Sequence, residues 1–290
     1  MLQALNYYIV FMIDGGQYKD GVSDEEVAVL LLKLYEKYGY DFRSYSQAHL
    51  KRRLQSKLTM SGIPSITTLQ DHMLASPAVA ASLLRDLSVT VTEMYRDPEF
   101  YRAVREIVIP MLKTYSFLKI WHAGCSTGQE VYSMAILLME EGLYDRTMIY
   151  ATDFNQQVLD QAKEGVFTDE DIRQYTRNHQ LSGGITSLSD YYMSRYNRVI
   201  MDKSLKKNIV WANHNLVTDG VFAEVQLIMC RNVLIYFNKD LQNHVHELFY
   251  NSLGRGGFLC LGAKESLRFS SVSHKYSEVD YKAKIYSKKY

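Results

Sequence analysis

Two segments of the sequence place small and acidic residues directly after a run that is typical of a buried strand. The first run, residues 118–123, leads into a turn that contains Gly124 and Gly128 and then into a helical pattern. Glycine lets the backbone approach a ligand closely, and the first turn of a helix presents unpaired N–H groups. The second run, 147–152, ends on Asp153. In parallel α/β sheets such a turn and such a carboxylate together bind a nucleotide-like cofactor, the carboxylate through the ribose hydroxyls.

Further polar residues are predicted to meet the same edge of the sheet. Asn215 follows a strand-like segment, and Arg231 and Asn232 end another one. Glu130 stands in the first turn of the helix after the glycine turn, where its carboxylate can bind an ammonium group of the cofactor. Ligands of parallel α/β sheets bind at the carboxyl ends of the strands, so these side chains are candidates for the same site.

The kind of cofactor follows from what the turn lacks. No Lys-Ser or Lys-Thr pair follows the glycines, which excludes a P-loop, and the pattern is not GxGxxG, which disfavours a dinucleotide. A nucleoside cofactor without a pyrophosphate fits better, and we predict S-adenosylmethionine. The sequence has no HExxH motif and no close group of His and Asp residues, so no metal is predicted.

Composition places the chain among ordinary globular proteins. It has 290 residues, 47% of them hydrophobic and 22% charged, and a net charge of +1, so no overall field favours nucleic acid. Cys125, Cys230 and Cys260 form no CxxC pair and are interpreted as reduced core residues of a cytoplasmic protein. The apolar segment 2–12 is too short to span a membrane and lacks the basic start of a signal peptide.

Residues 1–90 are predicted to form an all-helical domain. Ser23 and Glu26 have the spacing of a capping box, and the helix that they begin is expected to end near Gly39. Further helices are predicted at 46–60, 66–75 and 77–87.

Residues 91–290 show strands alternating with helices, the pattern of a parallel α/β sheet. The predicted elements are helix 99–115, strand 118–123, helix 129–141, strand 147–152, helix 155–164, strand 226–231, helix 239–253 and strand 256–262. Residues 198–202 and 208–212 are interpreted as a hairpin, which places a small inserted β-subdomain at about 183–213.

Four strings of residues in this order give the chain a resemblance to a known family. They are Thr92-Glu-Met-Tyr-Arg96, Ala123-Gly-Cys-Ser-Thr-Gly128 followed by Glu130, Asn215-Leu216, and Cys230-Arg-Asn-Val-Leu-Ile-Tyr-Phe237. The last string is the most specific. Over about residues 25–285 the sequence resembles the chemotaxis receptor glutamate O-methyltransferases of the CheR family. The resemblance implies a Rossmann-like S-adenosylmethionine-dependent methyltransferase domain behind an all-helical domain, with a small antiparallel β-subdomain inserted.

The resemblance also implies a function and roles for individual residues. The expected reaction esterifies glutamate side chains of chemotaxis receptors and leaves S-adenosylhomocysteine, with Arg96 and Tyr236 beside the transferred methyl group and the incoming carboxylate. A basic helix would dock the acidic helices of the receptor, and the β-subdomain would bind a receptor tail peptide by strand addition. The implied docking residues are Lys51, Arg52, Arg53 and Lys57. The cofactor contacts would be Thr90, Thr92, Arg96, Gly124, Glu130, Asp153, Asn215, Leu216, Arg231 and Asn232.

Several positions depart from the family's usual pattern. Thr90 stands where Asn is common, Met94-Tyr95 replaces an aromatic pair, and Gln129 and Val131 replace Glu and Pro. The segment 262–266, Gly-Ala-Lys-Glu-Ser, replaces Gly-His-Ser-Glu-Ser and so exchanges a His for Ala and adds a cation. These departures affect the choice of substrate more than the cofactor site.

Structural explanations stand beside the functional ones. Asp153 can cap the following helix, Glu130 can complement the helix dipole, and four cations at 51–57 can form a solvated face. Two other functions stay open at this stage. One is a methyltransferase of the same fold with another substrate, and the other is a signalling adaptor that binds the cofactor without turnover.

Overall fold

A computed structural model describes residues 22–88 and 91–289 of the chain, so the apolar segment 2–12 lies outside the described residues. The chain divides into two compact units, Met1–Leu87 and Ser88–Tyr290. Within the described ranges no helix has both the length and the apolar character needed to cross a membrane.

The first unit is helical, as predicted. The capping box is present, because the Ser23 hydroxyl accepts the Glu26 N–H and the Glu26 carboxylate accepts the Ser23 N–H. Gly39 ends the first helix in the left-handed conformation, with φ of 77°. Each helix buries one apolar face, including Leu30 and Leu34 in the first and Leu50 in the second. The four helices are α1 (Asp24–Tyr38), α2 (Gln47–Ser61), α3 (Ile66–Ala75) and α4 (Pro77–Leu87).

The second unit begins with a helix that is interrupted, where the sequence predicted one continuous helix at 99–115. It consists of α5 (Pro98–Ala103), a π-helical stretch (Val104–Val108) and α6 (Ile109–Leu112). Pro110 has no N–H to donate and its ring crowds the carbonyl four residues earlier, which accounts for the interruption.

The remaining elements follow the predicted alternation closely. Their bounds are β1 (Leu118–Ala123), α7 (Gln129–Glu140), β2 (Thr147–Asp153), α8 (Gln156–Glu164), β3 (Val166–Thr168), α9 (Ile172–Leu181), β4 (Tyr192–Arg195), β5 (Arg198–Met201), β6 (Ile209–Asn213), β7 (Val225–Cys230), α10 (Lys239–Ser252), β8 (Leu253–Leu261), β9 (Tyr276–Asp280) and β10 (Ile285–Lys288).

Seven strands form the main sheet in the order β6-β2-β1-β7-β8-β10-β9. The first five of these are mutually parallel, and β10 and β9 continue the sheet antiparallel. β1 is the middle one of the five parallel strands, and its Ala123 is in register with Thr152 of β2 and its His122 with Met229 of β7. Because β1, β2, β6 and β7 run in the same direction, the turns that follow them meet at one edge.

The prediction that residues 198–202 and 208–212 form a hairpin is wrong. β6 pairs in parallel with β2, from Ile209 opposite Ile149 to Asn213 opposite Asp153, so it belongs to the main sheet. β5 instead lies at the centre of a separate three-stranded antiparallel sheet in the order β3-β5-β4. A short run of β-branched residues has the same sequence pattern whichever strand it pairs with, so the pattern predicts a strand but not its partner.

A buried ionic cluster joins the interrupted helix to α7 and α9. The side chain of Glu140 is fully buried and binds Arg105 of the π-helical stretch and, at 3.0 Å, Nε2 of His179. The same carboxylate accepts the backbone N–H groups of Ile185 and Thr186, each at 3.1 Å. Burial opposes ionisation, but the bonds from His179, Thr186 and Arg105 outweigh it and lower the pKa of Glu140 to about 2.

We predict that Glu140→Gln lowers the free energy of unfolding by about 3 kcal/mol at neutral pH, because it removes the buried charge that Arg105 and His179 share and leaves Arg105 with Glu141 as its carboxylate partner. The pKa of Glu140 is lower in the folded protein than its ordinary 4.5, so its contribution is present above pH 4.5 and is lost as the pH falls from 4.5 towards 2. Urea unfolding across this range measures the difference between wild type and variant. Glu106→Gln is the control, since that glutamate of the same helical stretch is exposed. Equal effects of the two variants would contradict the prediction.

Candidate active site

The turn after β1 is shaped by three residues with positive φ. Gly124 has φ of 75°, Ser126 of 50° and Gly128 of 91°. A Cβ on Gly124 would lie 2.6 Å from Cγ2 of Val233, in the loop after β7. The sequence attributed this glycine to close approach of a ligand. The structure gives it a further reason, because only a residue without a side chain lets these two loops pack together.

Asp153 holds this turn in place from the end of β2. Its Oδ2 accepts the N–H of Ser126 and its Oδ1 the N–H of Asn155, each at 3.0 Å. The structural alternative for Asp153 was a helix cap, but Asn155 caps α8 by accepting the N–H of Gln157. Burial raises the pKa of Asp153 although Asn155 and Ser126 donate to it. The backbone of Phe154 also lowers this pKa, and since a carboxylate has about four acceptor positions, Asp153 keeps acceptor capacity for a ribose hydroxyl.

Glu130 lies between a histidine and an arginine. Its Oε1 accepts Nδ1 of His122 at 3.1 Å, and its Oε2 accepts Nη1 of Arg231 at 3.3 Å. Burial opposes ionisation of Glu130, but the bond from His122 and the charge of Arg231 prevail and lower its pKa. The Glu130 side chain keeps 18% of its surface exposed. It is therefore an ionised, partly accessible acceptor that suits an ammonium group.

Arg231 is the centre of this polar group. Besides Glu130, it donates to Oδ2 of Asp97 at 2.7 Å and to the backbone carbonyl of Arg96 at 3.2 Å. Its guanidinium also stacks over the ring of Phe100 at 4.0 Å. The arginine side chain is only 2% exposed, so it ties the segment before α5 to the end of β7 rather than reaching into solvent.

The loop after β7 depends on a residue whose role the sequence did not reveal. The Glu265 side chain, in the segment 262–266, accepts the backbone N–H groups of four successive residues, 232–235, at 2.7–3.3 Å. The sequence pattern of that segment draws attention to Lys264 and the exchanged histidine, not to Glu265. A signal was present, because the glutamate of the family's Gly-His-Ser-Glu-Ser string is kept at this position.

The structure brings most of the predicted cofactor residues to one edge of the sheet. Arg96, Glu130 and Arg231 are in direct contact, and the N–H of His214, next to Asn215, donates to the Asp153 carbonyl at 3.2 Å. Thr90 lies outside the described residues. Gly124, Asn215, Leu216 and Asn232 lie in the loops that follow β1, β6 and β7, and Thr92 lies in the segment before α5. Tyr236 is partly buried at the end of a short 3₁₀ helix, Leu234–Tyr236.

The predicted docking cations all lie on α2, but they are not equivalent. Lys51 pairs with Asp24 at 2.8 Å and Lys57 with Asp86 at 2.6 Å, so these two are partly neutralised. Arg52 is exposed, and its side chain reaches only Nδ1 of His49, at 3.4 Å. Among the described residues, Arg52 and Arg53 have no carboxylate within ion-pair distance, so they carry the net positive charge of this face.

Comparison with known families accounts for both units. Residues 25–88 match the all-alpha domain of the CheR methyltransferases, and residues 90–285 match their SAM binding domain. The chain belongs to the CheR methyltransferase family. The predicted fold class, the methyltransferase assignment and S-adenosylmethionine as the cofactor are thereby confirmed.

Individual relatives agree with the family assignment. The chain is 47% identical to a protein of Pseudomonas putida named putative methyltransferase Cher3, over 92% of this chain and 97% of the relative. It is 27% identical to a chemotaxis protein methyltransferase of Listeria monocytogenes, over 79% of this chain and 85% of that one.

Solved structures resemble the chain only loosely. The glycopeptide N-methyltransferase MtfA, complexed with sinefungin, shares 9% identity and a TM-score of 0.35, with 59% of this chain and 50% of that chain covered. The chain therefore spans about half the length of this structure, and the likeness adds nothing to the family assignment.

We predict that Asp153→Asn weakens the binding of S-adenosylhomocysteine by about 10- to 100-fold, because the variant loses a charged acceptor of two N–H groups and of the ribose. Isothermal titration calorimetry measures the dissociation constant. Asp160→Asn, an exposed position on α8, removes the same charge outside the site and serves as the control. Unchanged affinity in Asp153→Asn would show that the ribose lies elsewhere.

Proposed function

We propose that this protein methylates glutamate side chains in the cytoplasmic helical region of chemotaxis receptors and so forms glutamyl methyl esters and S-adenosylhomocysteine. The observation that supports the proposal is the loop of residues 231–237, which carries Asn232 and Tyr236 and follows β7 at the carboxyl edge of the sheet. Relatives from Listeria and Borreliella are named chemotaxis protein methyltransferases. A receptor substrate inside the cell implies a cytoplasmic enzyme.

The reaction needs little chemistry from side chains. Glutamate has an ordinary pKa of about 4.3, so the nucleophile is already ionised at neutral pH and no general base is required. S-adenosylmethionine supplies an electrophilic methyl group on a sulfonium with a neutral leaving group. The protein must then align the carboxylate and strip part of its water, which accounts for a site without a Ser/His/Asp set.

Two side chains have proposed roles at the substrate carboxylate. Tyr236 can orient one carboxylate oxygen by donating its phenolic hydrogen. Arg96 can attract the negatively charged side chain, and its backbone is fixed because its carbonyl accepts Arg231. A weak contact from Arg96 serves better than a tight one, since a fully neutralised carboxylate is a poorer nucleophile.

Docking of the receptor is assigned to α2. Chemotaxis receptors with acidic helices would meet the unpaired charge of Arg52 and Arg53, while Lys51 and Lys57 would have to give up Asp24 and Asp86 to contribute. Charge attraction of this kind mainly speeds association and weakens with salt.

A receptor tail peptide would bind at the three-stranded sheet. β3 and β4 are its outer strands, and each pairs only with β5 in the described part of the chain. An outer strand offers unpaired N–H and C=O groups, which is what strand addition uses.

A second candidate is a methyltransferase of the same fold that acts on another protein. The exposed Lys264 in segment 262–266 favours it, because this cation stands where the family's pattern has a serine. A panel of substrates distinguishes the two candidates.

We expect that methyl-labelled S-adenosylmethionine transfers label to cytoplasmic fragments of receptors from the same organism, and that mild base releases the label as methanol. Release by base identifies a carboxyl ester, since methylated amines are stable under these conditions. Tyr236→Phe removes only the hydroxyl that is proposed to orient the carboxylate, so it should lower kcat by about tenfold while cofactor binding stays unchanged. Label that resists base, or no label on any receptor fragment while the cofactor still binds, would refute the proposed function.

Reversal of charge on α2 tests the docking role. We predict that Arg52→Glu with Arg53→Glu raises the KM for the receptor by about tenfold and leaves cofactor affinity unchanged, with the effect shrinking at high salt. Lys33→Glu with Lys37→Glu makes the same change of charge on α1 and should have little effect. Equal loss in both double variants, or parallel loss of cofactor binding, would argue against docking through Arg52 and Arg53.

A further inference from the structure

Glu265 occupies an unusual position for a glutamate. It follows β8 rather than β7, its surface is only 5% exposed, and it has no cation as a partner among the described residues. A buried carboxylate without compensation costs several kcal/mol, about the stability of a small domain, so something else must stabilise it.

Five backbone N–H groups provide that stabilisation. Oε1 accepts the N–H groups of Val233 at 2.8 Å, Leu234 at 2.7 Å and Ile235 at 3.3 Å. Oε2 accepts those of Asn232 at 3.0 Å and Gly262 at 2.6 Å. Successive N–H groups that converge on one point form an anion-binding nest, and here the anion is a side chain of the same protein.

The nest requires special backbone at both ends. Asn232 has φ of 61°, in the left-handed region that non-glycine residues rarely adopt. A Cβ on Gly262 would lie 2.8 Å from the Asn232 nitrogen and 2.8 Å from Oε2 of Glu265, so this position must be glycine. The two loops therefore fit together only around the carboxylate.

Carbonyl groups of the same loop are bound by a side chain of α10. Nε2 of Gln242, on α10, donates to the carbonyls of Leu234 at 2.9 Å and Phe237 at 3.0 Å. Tyr236 lies between these two anchored residues. The backbone around Tyr236 is thus held by Glu265, which accepts N–H groups of the loop, and by Gln242, which donates to its carbonyl groups.

We propose that Glu265 is a positioning residue for methyl transfer, which fixes the loop of residues 231–237 so that Tyr236 and Asn232 meet the reacting groups. This inference rests on the proposed function in giving Tyr236 a place beside the substrate carboxylate. Glu265 touches neither substrate nor cofactor and acts through the backbone N–H groups that it binds.

Removal of the carboxylate with restoration by a small anion tests this role. Glu265→Ala should lower kcat by about 100-fold, the scale expected for a misplacement of roughly 1 Å, with a smaller change in cofactor affinity because Arg231 keeps Glu130 and Asp97. Formate or acetate, which can enter the vacated nest, should restore part of kcat. Formamide and acetamide, which carry no charge, should not.

Glu265→Gln covers the case in which the alanine variant does not fold. A glutamine can accept with its oxygen, but its NH₂ group would face N–H donors, so part of the nest is lost at nearly constant volume. Hydrogen exchange of amides 232–235 should become faster in this variant. Glu278→Gln, an exposed glutamate on β9, should leave both kcat and exchange unchanged.

The outcomes separate this inference from the proposed function. If Glu265→Gln has the kcat and the amide exchange rates of the wild type, the positioning role is refuted. It is also refuted if Glu265→Ala loses kcat only in proportion to its lower melting temperature and anions do not restore kcat. If the wild type methylates no receptor fragment, the proposed function fails. In that case hydrogen exchange of amides 232–235 still tests whether Glu265 holds the loop, because this measurement needs no substrate.

Discussion

Backbone N–H groups at the carboxyl edge of a parallel sheet must find acceptors once the strands end, and in this protein carboxylates supply many of them. Asp153 accepts two such groups and Glu265 accepts five. The turn after β1 is therefore shaped by an acid at the end of β2, and the loop after β7 by an acid in the segment after β8. The close fit of Gly124 against Val233 joins the two loops, so this edge of the sheet behaves as one unit.

Unfavourable backbone occurs at this edge and in the segment before α5, besides the turns at Tyr196-Asn197 and Lys284. Tyr95, Asp97, Ser126 and Asn232 all have positive φ without being glycine. Each such residue costs on the order of 1–3 kcal/mol, and it persists only where surrounding contacts determine it. Asp97 binds Arg231, Ser126 binds Asp153 and Asn232 binds Glu265 through its backbone. The sheet and the ionic contacts hold these loops in a fixed arrangement before any ligand arrives, which is what alignment of a methyl transfer requires.

The sequence predicted those parts of the fold that depend on local pattern. The capping box at Ser23, the helix after the glycine turn and the central strands all follow from spacing within one segment. The placement of β6 could not be predicted in this way, because each residue of β6 pairs with a residue of β2 that stands 60 positions earlier in the chain, as Ile209 does with Ile149. Glu265 escaped notice for a related reason. Its partners are backbone N–H groups about thirty residues earlier, and backbone groups leave no mark in the amino-acid sequence.

The three-stranded sheet lies within the connection between β2 and β6, which is called the excursion here. The residues before and after the sheet lie close to each other. The N–H of Met201 binds the carbonyl of Gly165, and Lys206 reaches the carbonyl of Glu164, so the chain leaves and rejoins the main sheet through a narrow neck. Natural selection can therefore lengthen, shorten or replace this excursion while the register of the parallel strands stays as it is. We therefore expect that the proposed peptide site on this sheet can change while the parallel strands that carry the predicted cofactor residues stay as they are.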